Sequence, residues 1–323
     1  MKRIAVLTSG GDGPGLNPCI RAVTRMALHV GLEVIGVQRG YSGLISGSVM
    51  KLDARSVGGI IGRGGTFLGT ARCPDFYHER GQREALRALN RLDVDGLVVI
   101  GGNGSLTGAL QLHRMGFPVV GIPATIDNDV NGTDIAVGVD TALNTIIDAI
   151  DRIKDTASSH QRAFLIETMG RDSGYLALVS GLAGGAELVL IPEVETTLEE
   201  VERTIEESYI KGKAHCIIVV AEGWKPGTRV LVDYLQQRQE ELGFEIRVTA
   251  LGHVQRGGKP LAFDRLLATR LGAKAVETIV AGQYGVMVGW VGNQSALTPL
   301  EEAVAFQKAV DLELRKLSEA MEK

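Results

Sequence analysis

Short apolar runs recur along the chain, and segments of helical length separate them. Nine such runs read RIAVLTS, EVIGVQ, GLVVIGG, PVVGIPAT, AFLIETMG, ELVLIPE, HCIIVVAEG, RVTALGHV and GVMVGWVG. Amphipathic helix candidates such as 144–156 and 198–210 lie between them, and a charged helix is expected over roughly 299–322. This alternation predicts βαβ units and therefore mostly parallel sheets.

The number of predicted strands bears on the architecture. Nine strands are many for one sheet, so the pattern favours an α/β chain with two doubly wound, Rossmann-like domains. In such folds ligands collect at the carboxyl ends of the strands, where this sequence places its glycines and polar residues. No Pro- or Ser-rich linker marks a boundary between the domains.

Composition narrows the functional classes. The chain has 323 residues, of which 45% are hydrophobic and 22% charged, which favours a soluble globular protein. The formal charge of −4 gives no general reason to expect nucleic acid or an anionic membrane as partner, and no stretch is apolar enough to span a bilayer. The three cysteines are far apart without a C-x-x-C pair, which argues against a zinc cluster or disulfide framework and favours a reducing cytoplasm.

Glycine-rich turns follow the predicted strands. TSGGDGPGLN comes directly after the first strand, and GGNGS continues the run GLVVIGG into a predicted helix. The backbone amides of such turns, with the positive end of the next helix, make a cradle for phosphate. Similar turns also occur without a phosphate, so each motif by itself leaves both interpretations open.

Carboxylates and arginines mark further candidates. PATIDNDVNGTD carries Asp127 and Asp129, which point the same way in an extended segment and could serve as a general base and a metal partner. Taken singly, either aspartate could instead cap a helix or a turn. Arginines stand near strand ends in GRGGTFLGTARCPDF, SSHQRAFLIETMGRDSG and ALGHVQRGGKP, where anion binding and plain solvation are both open.

Seven motifs occur together in one order: TSGGDGPGLN, RGGTFLGTARCPDF, GGNGS, PATIDND, SSHQR, ETMGR and LGHVQRGG. This set resembles the bacterial 6-phosphofructokinase family over residues 2–292. The resemblance implies transfer of a phosphoryl group from ATP, or in a second branch from pyrophosphate, to the 1-hydroxyl of fructose 6-phosphate. It also implies a larger nucleotide-binding domain at 1–138 and 255–305, and a smaller sugar-phosphate-binding domain at 139–254 and 306–323.

The resemblance further implies roles for individual residues. Asp127 is the expected base, and Arg171, Thr125 and Gly11 are expected to stabilise the migrating charge. The expected nucleotide contacts are Gly11, Tyr41, Arg72, Cys73, Gly102, Asn103, Gly104 and Ser105. The expected sugar-phosphate contacts are Thr125, Asp127, Asp129, Arg162, Met169, Gly170, Arg171, Glu222, Arg247, His253 and Arg256. In the family the residues matching Arg162 and Arg247 reach in from a neighbouring subunit, which implies a homotetramer.

Two loop positions distinguish the phosphoryl donors. Pyrophosphate users resemble one another in having Asp where this chain has Gly104, and Lys where it has Ala124. Gly104 leaves room for the α-phosphate of a nucleotide, which an Asp side chain would exclude by bulk and charge. ATP is therefore the expected donor, and a pyrophosphate-dependent enzyme is the less favoured alternative. Ala124 itself departs from the Gly typical of ATP users and adds a methyl group near the γ-phosphate.

Asn103 departs from the family pattern at the metal site. The family has an Asp here that holds Mg²⁺ between the β- and γ-phosphates. Asn keeps an oxygen of similar reach but lacks the charge, which is worth on the order of a few kcal/mol near a cation. We therefore expect weakened magnesium binding at Asn103, with Asp129 as an indirect contact, and attenuated kinase activity. A ligand-binding regulatory paralogue with little turnover is the alternative.

The resemblance also implies an effector pocket for ADP or phosphoenolpyruvate. The matching residues are Arg21, Arg25, Lys154, Gly185, Glu187, Lys211, Lys213 and His215, with Glu187 as a metal contact. Lys154 replaces a usual Arg, and Ala54 and Arg55 stand where relatives commonly have Arg followed by an aromatic residue. Because Arg and Lys differ in donor geometry, allosteric control is expected to be weakened or altered.

Overall fold

The computed structural model describes residues 1–321. The predicted end of the last helix, at 322, and the predicted end of the smaller domain, at 323, lie outside the described residues. Within residues 1–321 eleven strands alternate with twelve α-helices. The strands are β1 (Arg3–Thr8), β2 (Glu33–Val37), β3 (Val49–Leu52), β4 (Gly96–Gly101), β5 (Val119–Pro123), β6 (Arg162–Thr168), β7 (Leu188–Leu190), β8 (Cys216–Ala221), β9 (Glu245–Ala250), β10 (Val286–Val291) and β11 (Gln294–Pro299).

The helices are α1 (Leu16–His29), α2 (Gly40–Ser46), α3 (Glu79–Arg91), α4 (Asn103–Arg114), α5 (Val139–His160), α6 (Tyr175–Ala183), α7 (Leu198–Ile210), α8 (Thr228–Gln236), α9 (Gln239–Leu242), α10 (Ala262–Val280), α11 (Leu300–Ala303) and α12 (Glu313–Met321). Short 3₁₀ helices cover Ile60–Gly62, Pro74–Tyr77 and Gly252–Arg256. None of the helices within residues 1–321 combines the length and the apolar content that crossing a bilayer requires.

The chain divides into two compact units. The first unit contains Met1–Thr141 and Arg256–Lys308, and the second contains Ala142–Gln255 and the residues from Ala309 onward. The assignment of nucleotide binding to one unit and sugar-phosphate binding to the other stays a prediction.

A seven-stranded sheet with the order β11-β10-β5-β4-β1-β2-β3 forms the first unit. Its five inner strands pair in parallel, and the two outermost strands pair antiparallel. In β1, Ile4 and Val6 pack in the cluster that includes residues of α1 and α10, whereas Ala5 and Leu7 pack with residues of α3 and α4. Since alternate residues of a strand face opposite sides, a sheet covered on both faces needs continuous apolar runs such as RIAVLT.

The second unit contains a four-stranded parallel sheet with the order β7-β8-β6-β9. All six residues of β8, CIIVVA, are buried. The edge strand β9 is different, because Arg247 and Val248 are exposed. This sheet therefore presents charged side chains along one edge strand.

The predicted α/β class with mostly parallel sheets is confirmed, but two strands are missing from the prediction. The nine predicted strands are all present, and β3 and β11 are the additional ones. β3 has only the four residues VMKL, and five of the six residues of β11 are not buried. Both pair antiparallel at the two ends of the large sheet. Strands in such positions need no continuous apolar run, so the pattern that marks the other nine is absent from them.

The single helix predicted over 299–322 is wrong. α11 ends at Ala303 and α12 begins only at Glu313. Between them, Gln307 forms an antiparallel bridge with Val130, and the backbone N–H of Lys308 donates to the Asp129 carbonyl at 2.9 Å. Tertiary hydrogen bonds thus replace the helical bonds that the local sequence allows.

Candidate active site

Three predicted loops meet at one edge of the large sheet. They follow β1, β4 and β5, which are neighbours in the order β5-β4-β1 and run parallel. These loops are in close contact. A Cβ added at Gly10 would lie 3.2 Å from Ser105 Oγ, and a Cβ added at Gly102 would lie 3.5 Å from the Thr125 Cβ. The first unit therefore brings the predicted phosphate loops together with the predicted base loop.

The loop after β4 leads directly into the first turn of α4. Gly102 is the N-cap and has no side chain to occupy the free amides, and no acidic residue lies in the first turn. An added Cβ at Gly104 would meet no atom within 4 Å. The exposed amides and the positive end of this twelve-residue helix suit a phosphate group.

Asn103 is held in one orientation. Its side-chain Nδ2 donates to the Asp129 carbonyl at 3.2 Å. Its Oδ1 is buried and has no hydrogen-bond partner among residues 1–321. Because only the amide nitrogen can donate to a carbonyl, the oxygen is left as an available acceptor beside the phosphate loop.

Tyr41 packs against α4. Its hydroxyl donates to the Ser105 carbonyl at 2.7 Å, and its ring stacks on Phe76 with centroids 3.9 Å apart. A Cβ added at Gly108 would lie 2.8 Å from the Tyr41 ring, so glycine is required for this approach. Burial raises the pKa of Tyr41 well above its ordinary value, so its hydroxyl stays a donor. Cys73 is half-buried, and Arg72 is exposed.

Asp127 lies on an irregular but well-tied loop. The residue is only 5% exposed, and its backbone N–H donates to Thr125 Oγ1 at 3.2 Å. Asn128, which has a positive φ of 51°, donates to the Asp134 carbonyl at 3.1 Å and accepts from the Ala136 N–H at 3.0 Å. The asparagine thus closes the loop on itself and fixes the backbone next to the predicted base.

Arg256 lies directly over Gly11 in the first unit. A Cβ added at Gly11 would come within 2.2 Å of Arg256 Nη1. Any larger residue at position 11 would therefore displace the guanidinium. The position of Arg256, a predicted sugar-phosphate contact, therefore depends on glycine at position 11 in the predicted phosphate loop after β1.

In the second unit, Glu222 holds the turn that carries Arg171. Its Oε1 accepts from the backbone N–H of Arg171 at 2.8 Å and of Gly170 at 3.2 Å. Arg171 has a positive φ of 54° and Gly170 one of 139°, so the turn is of a kind that needs such external support. Met169, the residue after β6, is buried, and its N–H donates to Gln255 Oε1 at 3.1 Å.

Two further predicted arginines share one carboxylate. Arg162 Nε donates to Glu245 Oε2 at 2.6 Å, and Arg247 donates to the other oxygen of Glu245. Strands β6 and β9 place them together, since Arg162 pairs with Glu245 in register. The hydrogen bond from Arg162 lowers the pKa of Glu245. His253 lies in the exposed 3₁₀ turn that follows β9.

The predicted effector residues fall in both units. Arg21 and Arg25 lie on α1 in the first unit, where burial and the like charge of Arg25 lower the pKa of Arg21. In the second unit Glu187 forms an ion pair with Lys213 at 3.2 Å and accepts from the Ile217 N–H at 2.6 Å.

His215 belongs to the same part of the second unit. Its Nδ1 lies 2.8 Å from Ser158 Oγ, and burial is the main cause that lowers its pKa. An added Cβ at Gly185 would lie 3.2 Å from Lys154 Nζ, and Lys211 pairs with Glu207 at 3.6 Å. Glu187, Lys213, Lys154 and His215 form the charged cluster of this unit: Glu187 pairs with Lys213, Lys154 reaches the neighbouring Gly185, and the charges of all three affect the pKa of His215.

Sequence reasoning missed several residues that support the site. Glu245 and Lys308 were not singled out, because a lone charged residue carries no pattern before the fold supplies its partners. Asn128 and Gln255 stand inside the motifs PATIDND and LGHVQRGG, but the sequence pattern gives neither of them a role. No group of three or more His, Cys, Asp or Glu residues within 1–321 forms a metal cluster.

Comparison with known proteins agrees with this arrangement. A family model described as Phosphofructokinase matches residues 3–279. The ATP-dependent 6-phosphofructokinase of Halalkalibacterium halodurans is 51% identical over 321 residues, which cover 99% of each chain. The enzyme of the same name from Thermotoga neapolitana is 51% identical over 319 residues, covering 98% of this chain and 99% of the relative.

Solved structures share the fold. A phosphofructokinase from Saccharomyces cerevisiae has a TM-score of 0.86 at 36% identity. The match covers 100% of this chain and 47% of the yeast chain, so this chain spans about half of that chain's length. A pyrophosphate-dependent phosphofructokinase from Marinobacter aquaeolei has a TM-score of 0.86 at 22% identity, with 97% and 86% covered, which shows the fold alone. Since the family model spans most of the chain and the relatives match it almost end to end, the chain belongs to the phosphofructokinase family.

Proposed function

We propose that the chain transfers the γ-phosphoryl group of ATP to the 1-hydroxyl of fructose 6-phosphate, the glycolytic reaction that gives fructose 1,6-bisphosphate and ADP. The observation that carries the proposal is the convergence of two glycine-rich loops and the Asp127 loop at one sheet edge, in a chain 51% identical to enzymes named ATP-dependent 6-phosphofructokinase. A sugar kinase needs this set, because phosphoryl transfer depends mainly on positioning and charge stabilisation.

In the proposed reaction, the 1-hydroxyl oxygen forms a bond to the γ-phosphorus, and the bond from that phosphorus to the β–γ bridging oxygen breaks. Asp127 accepts the hydroxyl proton, and ADP leaves with the electron pair of the broken bond. Arg171, Thr125 and the Gly11 amide stabilise the charge on the group in transfer. Glu222, Met169, Gly170 and His253, with Arg162, Arg247 and Arg256, hold the sugar phosphate.

The donor is proposed to be ATP because the first turn of α4 is open. With no atom within 4 Å of an added Cβ at Gly104, there is space beside the loop for the part of a nucleotide that pyrophosphate lacks. Tyr41, Arg72, Cys73, Gly102 and Ser105 are the other proposed contacts of the nucleotide.

The residues present fit a magnesium ion. Asn103 Oδ1 is a buried oxygen without a partner among residues 1–321, which is a reasonable ligand for a hard cation, with Asp129 nearby. The absence of a cluster of carboxylates among these residues agrees with an ion held largely by substrate phosphates. When bound, Mg²⁺ neutralises charge on the phosphates during transfer.

The decisive experiment measures ATP-dependent formation of fructose 1,6-bisphosphate by the pure protein at saturating magnesium. Product formation supports the kinase. No product from protein that still binds fructose 6-phosphate would instead indicate the regulatory paralogue. The same assay with pyrophosphate in place of ATP tests the other donor.

Replacing Asn103 tests the metal site. In Asn103→Asp we expect the half-saturating magnesium concentration to fall about tenfold or more, since the charge gained near the cation is worth a few kcal/mol and the hydrogen bond lost only about 1 kcal/mol. Asn131→Asp is the matched control, because Asn131, on the loop that carries Asp127, likewise donates to a backbone carbonyl, that of Glu302 at 3.1 Å. An unchanged magnesium dependence in Asn103→Asp would contradict this role of Asn103.

We further propose a cytoplasmic homotetramer with an effector site for ADP or phosphoenolpyruvate, in which Glu187 contacts the effector's metal. The charged cluster of Glu187, Lys154, Lys213 and His215 supports an anion site in the second unit. Activity titrated with both effectors tests regulation, and no response to either would remove it.

A further inference from the structure

The loop that carries the proposed base has no regular secondary structure of its own. Residues 124–138 form neither a strand nor a helix. Two isolated bridges join Ala124 with Val137 and Val130 with Gln307, and the backbone N–H of Asp134 donates to the Trp290 carbonyl at 2.7 Å. A catalytic group must be held within a fraction of an ångström to work well. The conformation of this loop therefore depends on hydrogen bonds from outside it.

The chain segment 298–308 supplies many of these bonds. They join Thr298 Oγ1 to the Gly132 carbonyl at 3.3 Å, Asn131 Nδ2 to the Glu302 carbonyl at 3.1 Å, and Gln307 Nε2 to Asp129 Oδ2 at 3.5 Å. Thr298 lies in β11 and Glu302 in α11, whereas Gln307 lies in the part that departs from the predicted helix. The segment therefore contacts the base loop both from regular elements and from the stretch between α11 and α12.

Lys308 bonds to the loop at two places. Its backbone N–H donates to the Asp129 carbonyl at 2.9 Å, and its ammonium donates to the carbonyls of Thr133, at 2.9 Å, and Asp134. Burial lowers the pKa of Lys308, with Asp134 acting in the opposite direction. A half-buried cation that takes two backbone carbonyls as acceptors is a strong and specific tie.

The Asp129 carbonyl accepts from a second residue as well. Asn103 Nδ2 approaches it at 3.2 Å, so one oxygen accepts from Asn103 and from Lys308. An ionised Asp at position 103 could not donate this bond and would place an acceptor against an acceptor. The unusual Asn therefore has a structural partner that explains what its amide nitrogen does.

We infer that Asn103 and Lys308 are positioning residues for the loop of Asp127. Asn103 holds it through the Asp129 carbonyl, and the Lys308 ammonium holds it through the carbonyls of Thr133 and Asp134. The inference rests on the proposed kinase function, in which Asp127 is the base. It gives Asn103 a task separate from metal binding, performed by the nitrogen of the amide while the oxygen remains available.

Hydrogen exchange of the ligand-free protein tests the tie without any turnover. In Lys308→Met, which keeps the apolar stem, we expect amides of residues 126–134 to exchange about fivefold faster or more, as loss of hydrogen bonds of about 1 kcal/mol each implies. Asn103→Ala should produce the same change in the absence of magnesium. Arg114→Met is the matched control, because Arg114 pairs with Glu301 in α11 of the same segment.

Kinetics then separate positioning from mere stability. Lys308→Met should lower kcat about tenfold or more with the KM values for both substrates nearly unchanged, because a misplaced base affects the transition state more than binding. Lys308→Arg, which keeps a cationic donor, should recover part of kcat. Arg114→Met should keep the wild-type kcat.

The outcomes are distinct. Unchanged exchange at 126–134 in Lys308→Met and Asn103→Ala would overturn the tie itself. Faster exchange with an unchanged kcat would leave a structural anchor and overturn the positioning role. A wild-type protein without kinase activity would overturn the proposed function, while the exchange comparison would still decide whether the loop is held in this way.

Discussion

At the scale of single residues, the proposed use of ATP instead of pyrophosphate as the phosphoryl donor depends on Gly104. Gly104→Asp should raise the KM for ATP and reduce ATP turnover about a hundredfold, because a carboxylate in the first turn of α4 repels the nucleotide's phosphates and occupies their space. Gly104→Ala is the control, since an added methyl meets no atom within 4 Å. Assays with ATP and pyrophosphate check the result, with thermal melting to show that both variants fold. Full ATP use by Gly104→Asp would contradict the assignment.

Glu245 is a second residue whose importance is visible only in the structure. It neutralises Arg162 and Arg247, which are proposed to grip the sugar phosphate. Glu245→Gln should therefore lower the KM for fructose 6-phosphate about threefold, with a larger effect at low salt. Glu301→Gln, which breaks the Arg114 pair, is the control. A KM that rises in Glu245→Gln would show that Glu245 orients the arginines instead of competing for them.

The pH dependence of this effect follows from the lowered pKa of Glu245, whose first cause is the hydrogen bond from Arg162. A carboxyl whose folded pKa is depressed stabilises the fold above its ordinary value of about 4.3, and this contribution is lost as the pH falls through the lower folded pKa. Glu245 is thus ionised throughout pH 6–9. The KM difference between wild type and Glu245→Gln should be constant over that range.

At the scale of elements, one buried carboxylate caps the N-terminus of the long helix α5. Asp264 of α10 is fully buried and accepts from the Gly138 N–H at 2.7 Å, and from the Thr141 N–H at 2.8 Å and Oγ1 at 2.6 Å. Asp264→Ala should cost about 3–5 kcal/mol in the free energy of unfolding, because buried donors lose their acceptor.

Denaturant titration measures this cost. Thr141→Val is the comparison, since it removes the hydroxyl, which donates to Asp264 and accepts from the Leu261 N–H at 3.0 Å, and should cost about 2 kcal/mol. Equal losses in both variants would show that the carboxylate contributes no more than its bond to that hydroxyl.

The elements also show where pattern reasoning works. Eight of the nine predicted strands lie in largely buried positions, where apolar residues are needed along most of the strand, and β9 is the exception as a half-exposed edge strand. β3 and β11 are short or half-exposed edge strands and carry no such demand. Gln307 and Lys308 leave the expected helix because their hydrogen bonds to the base loop outweigh a weak helical preference.

At the scale of the whole molecule, the proposed tetramer can be tested by mixing subunits. If Arg162 serves a neighbour's site, Asp127→Asn and Arg162→Ala subunits, each nearly inactive alone, should form wild-type sites when refolded together. Random mixing in equal amounts should restore about a quarter of the wild-type rate. Each variant refolded alone is the control. No recovery from a mixture that does assemble would place Arg162 and Asp127 in the same chain's site.

The α/β class, nine of the eleven strands and the position of the glycine-rich turns follow from the sequence by itself, because apolar periodicity and glycine-rich turns are local properties of the chain. The predicted site residues are mostly carried by those turns and strand ends. Only the tertiary structure decided that Glu245 faces two arginines, that Asp264 caps α5, and that Asn103 and Lys308 share one carbonyl. Apart from Arg247 and Glu245, which are two residues apart, these partners are separated by tens to hundreds of residues, and no local pattern records which partner a polar group will meet.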